Sequence, residues 1–267
     1  MDLGVAGRGY LIFGGTAGMG LAAARALAAD GAHVAIAGRR TDRAEAAAAE
    51  LTAASGSRVA ALTCDLREAG AAEDAVAQAV EALGGLRGMA VTTGLGMHGQ
   101  RTLLGASDED WTATFEDVLL TVSRACRATV PALLASGGGA IVTTAAYSIR
   151  APKPHQVPYG ALKAGVATMT KALAKSFGDA GIRANCVCPG ATETEVLASM
   201  RAGIAAERGW PVETALERIM TEEWGMKVAL GRAGRPEELG DVIAFCLSER
   251  ASYLTGATIN VDGGTDF

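Results

Sequence analysis

Two residues one helical turn apart, Tyr159 and Lys163, have side chains that can transfer a proton. Residues four apart share one face of a helix, so the Lys163 ammonium can lie beside the Tyr159 phenol. A neighbouring positive charge favours the phenolate and lowers the pKa of a phenol from its usual value of ~10. The spacing therefore predicts that Tyr159 is the general acid in reducing a carbonyl, or the general base in oxidising an alcohol.

A glycine-rich loop at residues 14–20 precedes this pair in the chain. It follows a short apolar strand and begins a helix, the context in which such loops bind a dinucleotide. There Gly14 allows the tight turn, Gly18 lets the backbone approach the pyrophosphate, and Gly20 lets helix and strand pack closely. The helix dipole and free N–H groups then face an anion. The loop therefore predicts a dinucleotide cofactor; the alternative is a glycine-rich turn without a ligand.

The choice of cofactor depends on the end of the second strand, where Arg39 and Arg40 follow Gly38. A carboxylate there would bind the adenosine ribose of NAD, whereas an arginine would pair with the extra phosphate of NADP. NADP(H) is the preferred prediction and NAD(H) remains possible, since both arginines would also suit a solvated surface near a helix start. Asp65, after the third strand, is placed to bind the adenine amino group.

Composition excludes several classes of protein. Of 267 residues 49% are hydrophobic and only 20% charged, which supports a large buried core. The net charge of -5 gives no electrostatic reason to expect nucleic acid or an anionic membrane as a partner. The five cysteines form no Cys-x-x-Cys pair, so disulfides and a metal site are not expected. Cys186 and Cys188, at strand spacing, are expected to fill one face of a strand.

The sequence predicts a cytoplasmic protein. Its N-terminus lacks a basic segment followed by a long apolar run and a cleavage site. No stretch approaches the ~18 unbroken apolar residues that span a membrane.

Short apolar runs alternate with longer helical segments along the chain. The predicted strands lie at 10–13, 33–37, 59–62, 88–92, 140–144, 183–187 and 257–261. The predicted helices include 41–54, 107–135, 158–177, 195–208, 211–226 and 236–247, with Ser107 as a capping residue. This alternation predicts an α/β fold: one Rossmann-type, doubly wound parallel sheet of about seven strands with helices on both faces, over residues 1–267.

Taken in order, these motifs resemble the short-chain dehydrogenase/reductase family over nearly the whole chain. The matching segments are the glycine loop, Asp65-Leu66, the run from Tyr159 to Lys163, Asn185 to Gly190, Gly231 to Glu238, and Thr255 to Gly264. The resemblance implies that Tyr159 protonates the substrate oxygen while Lys163 lowers its pKa and holds the nicotinamide ribose. The other cofactor-binding residues that it implies are Thr16, Met19, Leu66, Thr92, Gly94, Pro189, Gly190, Thr192 and Thr194.

The chain departs from the family pattern at catalytic positions. The family has Asn-Asn-Ala-Gly after the fourth strand, where this chain has the run from Val91 to Gly94. The family serine thirteen residues before the tyrosine is replaced by Ala146, and the expected helix asparagine by Val118. Losing a donor to the substrate oxygen costs on the order of 3 kcal/mol in barrier, so a simple reductase lacking both groups would be slow.

Ser148 is the candidate replacement for the missing serine. It lies two residues after Ala146, on the same side of an extended chain. The alternative is a solvated loop serine. His98, His155 and Tyr147 are further polar candidates at the mouth of the cleft, although a lone histidine is more often a surface or packing residue.

The segment at 195–230 is predicted to fold over the substrate as a lid. Its apolar residues are Val196, Leu197, Met200, Ile204, Trp210, Leu216, Ile219, Met220, Trp224 and Met226. Many of these must pack on the body, but together they suit a bulky apolar ketone or alcohol better than a sugar. Outer apolar positions on two long helices (Leu119, Leu120, Val166 and Met169) favour a homodimer or homotetramer, or packing within one chain.

Three functions remain open from the sequence. The first is an NADP(H)-dependent oxidoreductase that interconverts a carbonyl and a secondary alcohol. The second keeps the cofactor but acts on an unusual substrate, such as an extended quinone or β-diketone, that supplies polarising groups itself. The third is a cofactor-binding protein with weak or no redox catalysis and a regulatory role.

Overall fold

A single sheet of seven parallel strands runs through the computed structural model, which describes residues 2–93, 97–222 and 225–265. The strands are β1 (Gly9–Phe13), β2 (His33–Gly38), β3 (Val59–Thr63), β4 (Gly88–Val91), β5 (Gly139–Thr144), β6 (Ile182–Pro189) and β7 (Thr258–Val261). The helices are α1 (Gly18–Ala29), α2 (Thr41–Ser55), α3 (Ala71–Leu83), α4 (Asp108–Thr114), α5 (Thr121–Ala135), α6 (Val157–Phe177), α7 (Glu195–Arg208), α8 (Val212–Glu222) and α9 (Pro236–Leu247). The predicted fold class is confirmed.

The strand order, β3-β2-β1-β4-β5-β6-β7, reverses direction between β1 and β4. At such a reversal the connections leave the two strands towards opposite faces, and a crevice opens at the carboxyl ends of the strands. The glycine loop follows β1 at this place, and Thr92 follows β4. The topology alone therefore brings together two of the segments that the sequence marked.

The core has two layers, one on each face of the sheet. Side chains alternate along a strand, so Leu11 and Phe13 of β1 pack with α3, α5 and α6, whereas Tyr10 and Ile12 pack with α1, α2 and α9. All four are at most 1% exposed. Burial on both faces explains why the strands are nearly continuous apolar runs. Cys186 and Cys188 share the first layer as predicted, and all five cysteines are free and buried.

The predicted helix at 107–135 is present, but its winding changes in the middle. Ser107 caps it as predicted, with its hydroxyl accepting from the Asp110 N–H at 3.2 Å. Between α4 and α5 the chain forms a π-helical stretch, Phe115–Leu120, that includes Val118. There the Thr121 N–H bonds the Glu116 carbonyl, five residues back. A wide turn inside a helix is frequent at functional sites, and apolar periodicity does not reveal it.

The helical run Asp108–Ala135 is long and apolar enough to cross a membrane by length and composition alone. In this fold it is a core helix, because α5 contributes fully buried residues such as Val122, Ala125 and Leu133 to the first layer.

Helices α7 and α8 form a hairpin, called here the α7–α8 segment (residues 195–222), and share a small core with the residues that follow it. That core contains Leu216, Ile219, Met220, Met226 and Ala233, and Tyr147 of the main body packs against it. Arg201 of α7 lies against Glu193 and Glu217, so ion pairs also hold the hairpin. The predicted end of α8 at residue 226 is wrong, because residues 225 and 226 are not helical. Trp224 lies outside the described residues.

Candidate active site

The glycine loop has the backbone that its sequence predicted. Gly14 has a φ of +78° and Gly18 a φ of +51°, values that L side chains rarely adopt. Gly20 lies against the preceding strand: a Cβ there would come within 2.3 Å of the Gly14 carbonyl oxygen and 2.4 Å of the Thr92 Oγ1. Helix α1 can therefore begin this close to β1 and β4 only because residue 20 is glycine.

Thr92 joins the end of β4 to this loop. Its hydroxyl lies 3.0 Å from the Phe13 carbonyl oxygen and 3.3 Å from that of Gly14, and its N–H donates to Phe13. The threonine thus fixes the start of the glycine loop, although the family pattern at 91–94 is not preserved. Gly94, the other predicted cofactor residue after β4, lies outside the described residues.

Three arginines surround the end of β2. Arg40 pairs with Asp42 at 2.6 Å on an exposed surface, so its guanidinium is held by its own helix. The third, Arg43, was not predicted from the sequence, and its Nε donates to the Thr16 carbonyl at 3.2 Å. Arg43 also forms an ion pair with Glu195, the first residue of α7. Its place one helical turn beyond Arg39 and Arg40 was the available signal.

The predicted adenine ligand Asp65 has a partner within the chain. Arg67 donates from its Nε to both Asp65 carboxylate oxygens, at 3.0 and 3.1 Å, and from its backbone N–H at 3.0 Å. These hydrogen bonds lower the pKa of Asp65, so the side chain is a carboxylate at neutral pH. Leu66 is buried, and its carbonyl accepts a hydrogen bond of 2.9 Å from Arg124. The residues after β3 that are predicted to bind adenine are therefore held by Arg67 and by Arg124.

Tyr159 and Lys163 lie together in the first turns of α6, at the carboxyl end of β5. The Lys163 Nζ is 5.7 Å from the centre of the Tyr159 ring and donates to the Thr144 carbonyl at 3.0 Å. Lys163 is 2% exposed, and this burial lowers its pKa to about 8. The spacing thus produces the predicted pair, and the hydrogen bond to β5 fixes the lysine.

The expectation that Lys163 lowers the pKa of Tyr159 is wrong for the chain by itself. Burial of the phenol raises its pKa, and the neighbouring Tyr147 raises it further. Desolvation disfavours the phenolate more than the lysine favours it at this separation. Tyr159 is consequently protonated at neutral pH, the form required of a general acid.

Ser148 lies in a short 3₁₀ turn, Tyr147–Ile149, so the extended chain from which it was predicted to share a side with Ala146 is wrong. It is 1% exposed, which contradicts the solvated-loop alternative, and its hydroxyl has no hydrogen-bond partner among the described residues. A Cβ built on Gly160 would lie 3.9 Å from the Ser148 Oγ. The hydroxyl therefore packs against α6 one residue beyond Tyr159. Ala146 and Val118 are both buried, and their side chains are apolar, so neither can donate a hydrogen bond to the substrate.

Tyr147 links this site to the α7–α8 segment. Its phenol donates to the Met226 Sδ at 3.5 Å, and it interacts electrostatically with Tyr159. Gly99 packs on the other side of Tyr159, since a Cβ there would lie 2.8 Å from the Tyr159 Cβ. His98 and His155 are exposed.

The run after β6 crosses from the sheet to α7 beside the glycine loop. Gly190 donates to the Val261 carbonyl at 3.0 Å, directly after Pro189 ends the strand. Thr192 is buried, and its hydroxyl lies 3.2 Å from the Gly190 carbonyl oxygen. Thr194 precedes α7, and its Cγ2 lies 3.1 Å from where a Gly18 Cβ would be. The segments predicted to bind the pyrophosphate and the nicotinamide therefore lie next to each other.

These residues fit a nicotinamide dinucleotide. The cleft offers a glycine loop at the start of a helix for the pyrophosphate and two arginines, with no acidic residue, directly after β2. It also offers the Tyr159–Lys163 pair, whose lysine is buried and whose tyrosine is partly buried. Among the described residues, no cluster of His, Cys, Asp and Glu could hold a metal ion.

Comparisons with known proteins agree with this arrangement. The family model described as Enoyl-(Acyl carrier protein) reductase matches residues 14–266. The chain is 29% identical to 3-oxoacyl-[acyl-carrier-protein] reductase FabG of Chlamydia muridarum over 95% of both chains. It is 30% identical to human dehydrogenase/reductase SDR family member 4, over 96% of this chain and 86% of the relative. The structure resembles L-sorbose reductase from Gluconobacter frateurii complexed with NADPH and L-sorbose, with a TM-score of 0.91, 30% identity, and coverage of 99% and 98%.

Proposed function

Because the chain belongs to the short-chain dehydrogenase/reductase family and is an oxidoreductase of CH–OH groups, we propose that it interconverts a carbonyl and a secondary alcohol with NADP(H), with Tyr159 as the general acid or base. The observation that carries this proposal is the Tyr159–Lys163 pair, in which the lysine is buried and the tyrosine partly buried. Lys163 is fixed by the Thr144 carbonyl, and Tyr159 is neutral at working pH.

In the reducing direction the phenol of Tyr159 donates its proton to the carbonyl oxygen as negative charge develops there. When bound, a reduced nicotinamide supplies the hydride that the carbonyl carbon accepts. The transient phenolate is stabilised by the Lys163 ammonium and regains its proton from solvent. In the oxidising direction the same phenolate removes the hydroxyl proton.

The preference for NADP(H) rests on the arginines at the end of β2 and on the lack of a carboxylate there. Arg39 is the phosphate-binding residue in this proposal, with Arg40 beside it. The other proposed cofactor residues are Gly14, Thr16, Gly18, Met19, Gly20, Asp65, Leu66, Thr92, Gly94, Pro189, Gly190, Thr192 and Thr194. The similar L-sorbose reductase is complexed with NADPH, which supports the same choice here. NAD(H) remains the alternative.

Ser148 is proposed as the second donor to the substrate oxygen. Its buried, unpartnered hydroxyl beside α6 supports this role, because a buried donor without a partner is costly unless something else uses it. The Tyr147 phenol is the competing donor, since it lies close enough to Tyr159 to influence its pKa.

The α7–α8 segment is proposed as the lid over a bulky apolar substrate. Tyr147 and Met226 meet where it packs on the body, and their apolar surfaces favour a large ketone or alcohol. Several apolar residues predicted for the lid serve its own core instead: Leu216 is fully buried, and Trp210 has the Arg218 guanidinium 4.0 Å above its ring.

A second candidate is a cofactor-binding protein with weak redox activity. Ala146 and Val118 favour it, because both are buried apolar residues where the family has polar catalytic groups. The intact Tyr159–Lys163 pair and the glycine loop oppose it, since a purely structural role would need neither. With either function, the protein is proposed to work in the cytoplasm.

Calorimetric titration with NADPH and NADH tests the cofactor proposal without a known substrate. We expect micromolar affinity for NADPH and much weaker affinity for NADH. Tyr159→Phe should bind almost equally well, because the phenol serves the chemistry. If neither nucleotide bound, the oxidoreductase proposal would be wrong; equal affinities would overturn the NADP(H) preference alone.

A ketone screen with NADPH then separates the two candidates. If the wild-type protein turns over a ketone and Tyr159→Phe does not, the oxidoreductase proposal is supported. Tight NADPH binding would favour the second candidate if aromatic and alicyclic ketones were not reduced and the corresponding alcohols were not oxidised.

A further inference from the structure

One ion pair joins the phosphate end of the cofactor cleft to the α7–α8 segment. Arg43 lies in the first turn of α2, and its Nε bonds the glycine-loop carbonyl of Thr16 at 3.2 Å. Its terminal nitrogen pairs with the carboxylate of Glu195, 152 residues later in the chain. Arg43 therefore connects the glycine loop, the end of β2 and the start of α7.

A second contact lies beside this ion pair. The Thr194 Cγ2 lies against Gly18, 3.1 Å from where a Cβ would be. The start of α7 thus contacts the glycine loop directly through Thr194 and indirectly through Arg43. Any movement of α7 away from the loop must break the Arg43–Glu195 pair.

The pair is weak enough to be exchanged. The side chains of Arg43 and Glu195 are 34% and 69% exposed, and ion pairs this exposed are screened by solvent and salt. Glu195 also has an alternative, because a carboxylate in the first turn of a helix is stabilised by the helix dipole without any arginine.

We propose that the 2′-phosphate of NADPH competes with Glu195 for Arg43, so that this cofactor, and not NADH, releases the first turn of α7 from the glycine loop. The inference rests on the proposed NADP(H) preference. Arg43 lies one helical turn from Arg39 and Arg40, and a guanidinium binds a phosphate dianion more strongly than a carboxylate. The release frees the α7–α8 segment to admit substrate.

Three variants test the competition. Glu195→Gln removes the competing charge with little change of shape, and Arg43→Met removes the guanidinium but keeps the stem. Glu207→Gln is the matched control, because Glu207 is an exposed carboxylate at the other end of α7. Each is titrated calorimetrically with NADPH and with NADH, and the exchange of α7 amide hydrogens is followed by mass spectrometry with each nucleotide.

Glu195→Gln should bind NADPH about three- to fivefold more tightly, the range an exposed ion pair can supply, and should bind NADH unchanged. Arg43→Met should weaken NADPH binding several-fold and leave NADH binding unchanged. In the wild-type protein the first turn of α7 should exchange faster with NADPH than with NADH. In Glu195→Gln it should exchange fast without nucleotide, and Glu207→Gln should behave as wild type.

The inference is overturned if Glu195→Gln leaves NADPH affinity unchanged, or if it changes the affinities for NADPH and NADH equally. These results are distinct from failure of the proposed function, in which the wild-type protein itself binds neither nucleotide. Equal amide exchange with both nucleotides in the wild-type protein would show that Arg43 does not couple the phosphate to α7.

Discussion

At the scale of single residues, the site depends on the buried Lys163 and the partly buried Tyr159, whose pKa values move in opposite directions. Burial lowers the pKa of Lys163 to about 8 and raises that of Tyr159. Between about pH 8 and the ordinary lysine pKa of ~10.4, the folded chain therefore holds fewer protons at Lys163 than the unfolded chain does. Where the unfolded state binds more protons, stability rises with pH.

Lys163→Met should remove this dependence. Below pH 8 Lys163 is charged in both the folded and the unfolded wild-type protein. Burial of that charge then lowers the unfolding free energy by a constant amount. As pH rises from 8 to 9.5, the wild-type protein should gain up to about 2 kcal/mol of unfolding free energy relative to the variant. Urea unfolding at several pH values measures this difference. The exposed Lys175→Met is the control for loss of a surface charge and should track the wild-type protein; parallel curves for Lys163→Met would contradict the depressed pKa.

Ser148→Ala tests which hydroxyl replaces the family serine. If Ser148 donates to the substrate oxygen, its loss should lower kcat by about 100-fold and change KM little, because the bond strengthens in the transition state. Tyr147→Phe is the matched variant, since it removes the competing hydroxyl and keeps the ring. Steady-state kinetics with any ketone found in the screen decides between them. A loss of kcat in Tyr147→Phe alone would transfer the role to Tyr147.

Sequence could identify residues whose partners lie close in the chain. Tyr159 and Lys163 are four residues apart on one helix, so their pairing follows from helix geometry. Arg43 and Glu195 are 152 residues apart, and Tyr147 and Met226 are 79 apart, so their contacts follow only from the completed fold. The direction of the Tyr159 shift was mispredicted for the same reason: burial is set by layers that the local sequence does not contain.

At the scale of elements, glycine spacing in the nucleotide loop reflects steric need. A Cβ at residue 20 would overlap the Gly14 carbonyl oxygen and the Thr92 hydroxyl, both within 2.4 Å. Gly20→Ala should therefore move α1 away from β1, weaken NADPH binding at least tenfold and cost about 1–3 kcal/mol of stability. Calorimetry and thermal melting measure the two effects.

Gly203→Ala is the matched control for that substitution. Gly203 lies within α7, and a Cβ there would have nothing within 4 Å. Alanine should stabilise α7 by up to about 1 kcal/mol through its better helix propensity and leave nucleotide affinity unchanged. If Gly20→Ala bound NADPH as tightly as Gly203→Ala does, the close approach of α1 would not matter for the cofactor.

Element boundaries were predictable where the sequence carries a physical end signal. Helix α9 begins at Pro236 as predicted, and proline suits the first position of a helix. Helix α7 spans the predicted residues and is followed by Gly209, which has a φ of +64°. The π-helical stretch, Phe115–Leu120, carries no such signal, because its apolar residues fit a regular helix equally well. Its wide turn depends on packing against α6. Val166 was predicted on the outer surface, but it is fully buried, because α6 turns that side towards the sheet.

At the scale of the whole molecule, an apolar groove remains on the outer surface between the π-helical stretch and α6. It encloses about 500 Å³ and is lined by Phe115, Leu119, Leu120, Ser123, Gly165, Thr168 and Met169. Phe115 is 41% exposed despite its size. Exposed apolar surface of this kind marks an interface, which supports the proposal that the protein forms a homodimer or homotetramer through these helices.

A charge placed in the groove should separate the subunits. Phe115→Glu combined with Met169→Glu adds two carboxylates on each side of the proposed interface, and a symmetric contact brings all of them together. We expect the variant to be monomeric by light scattering at concentrations where the wild-type protein is a dimer or tetramer. Tyr253→Ser is the control, since Tyr253 is fully exposed and outside the groove lining. The groove is lined partly by α6, the helix that carries Tyr159. Loss of the interface should therefore loosen α6 near Tyr159 and lower turnover more than NADPH affinity. A wild-type monomer, or a variant that keeps the wild-type mass, would show that the groove has another use.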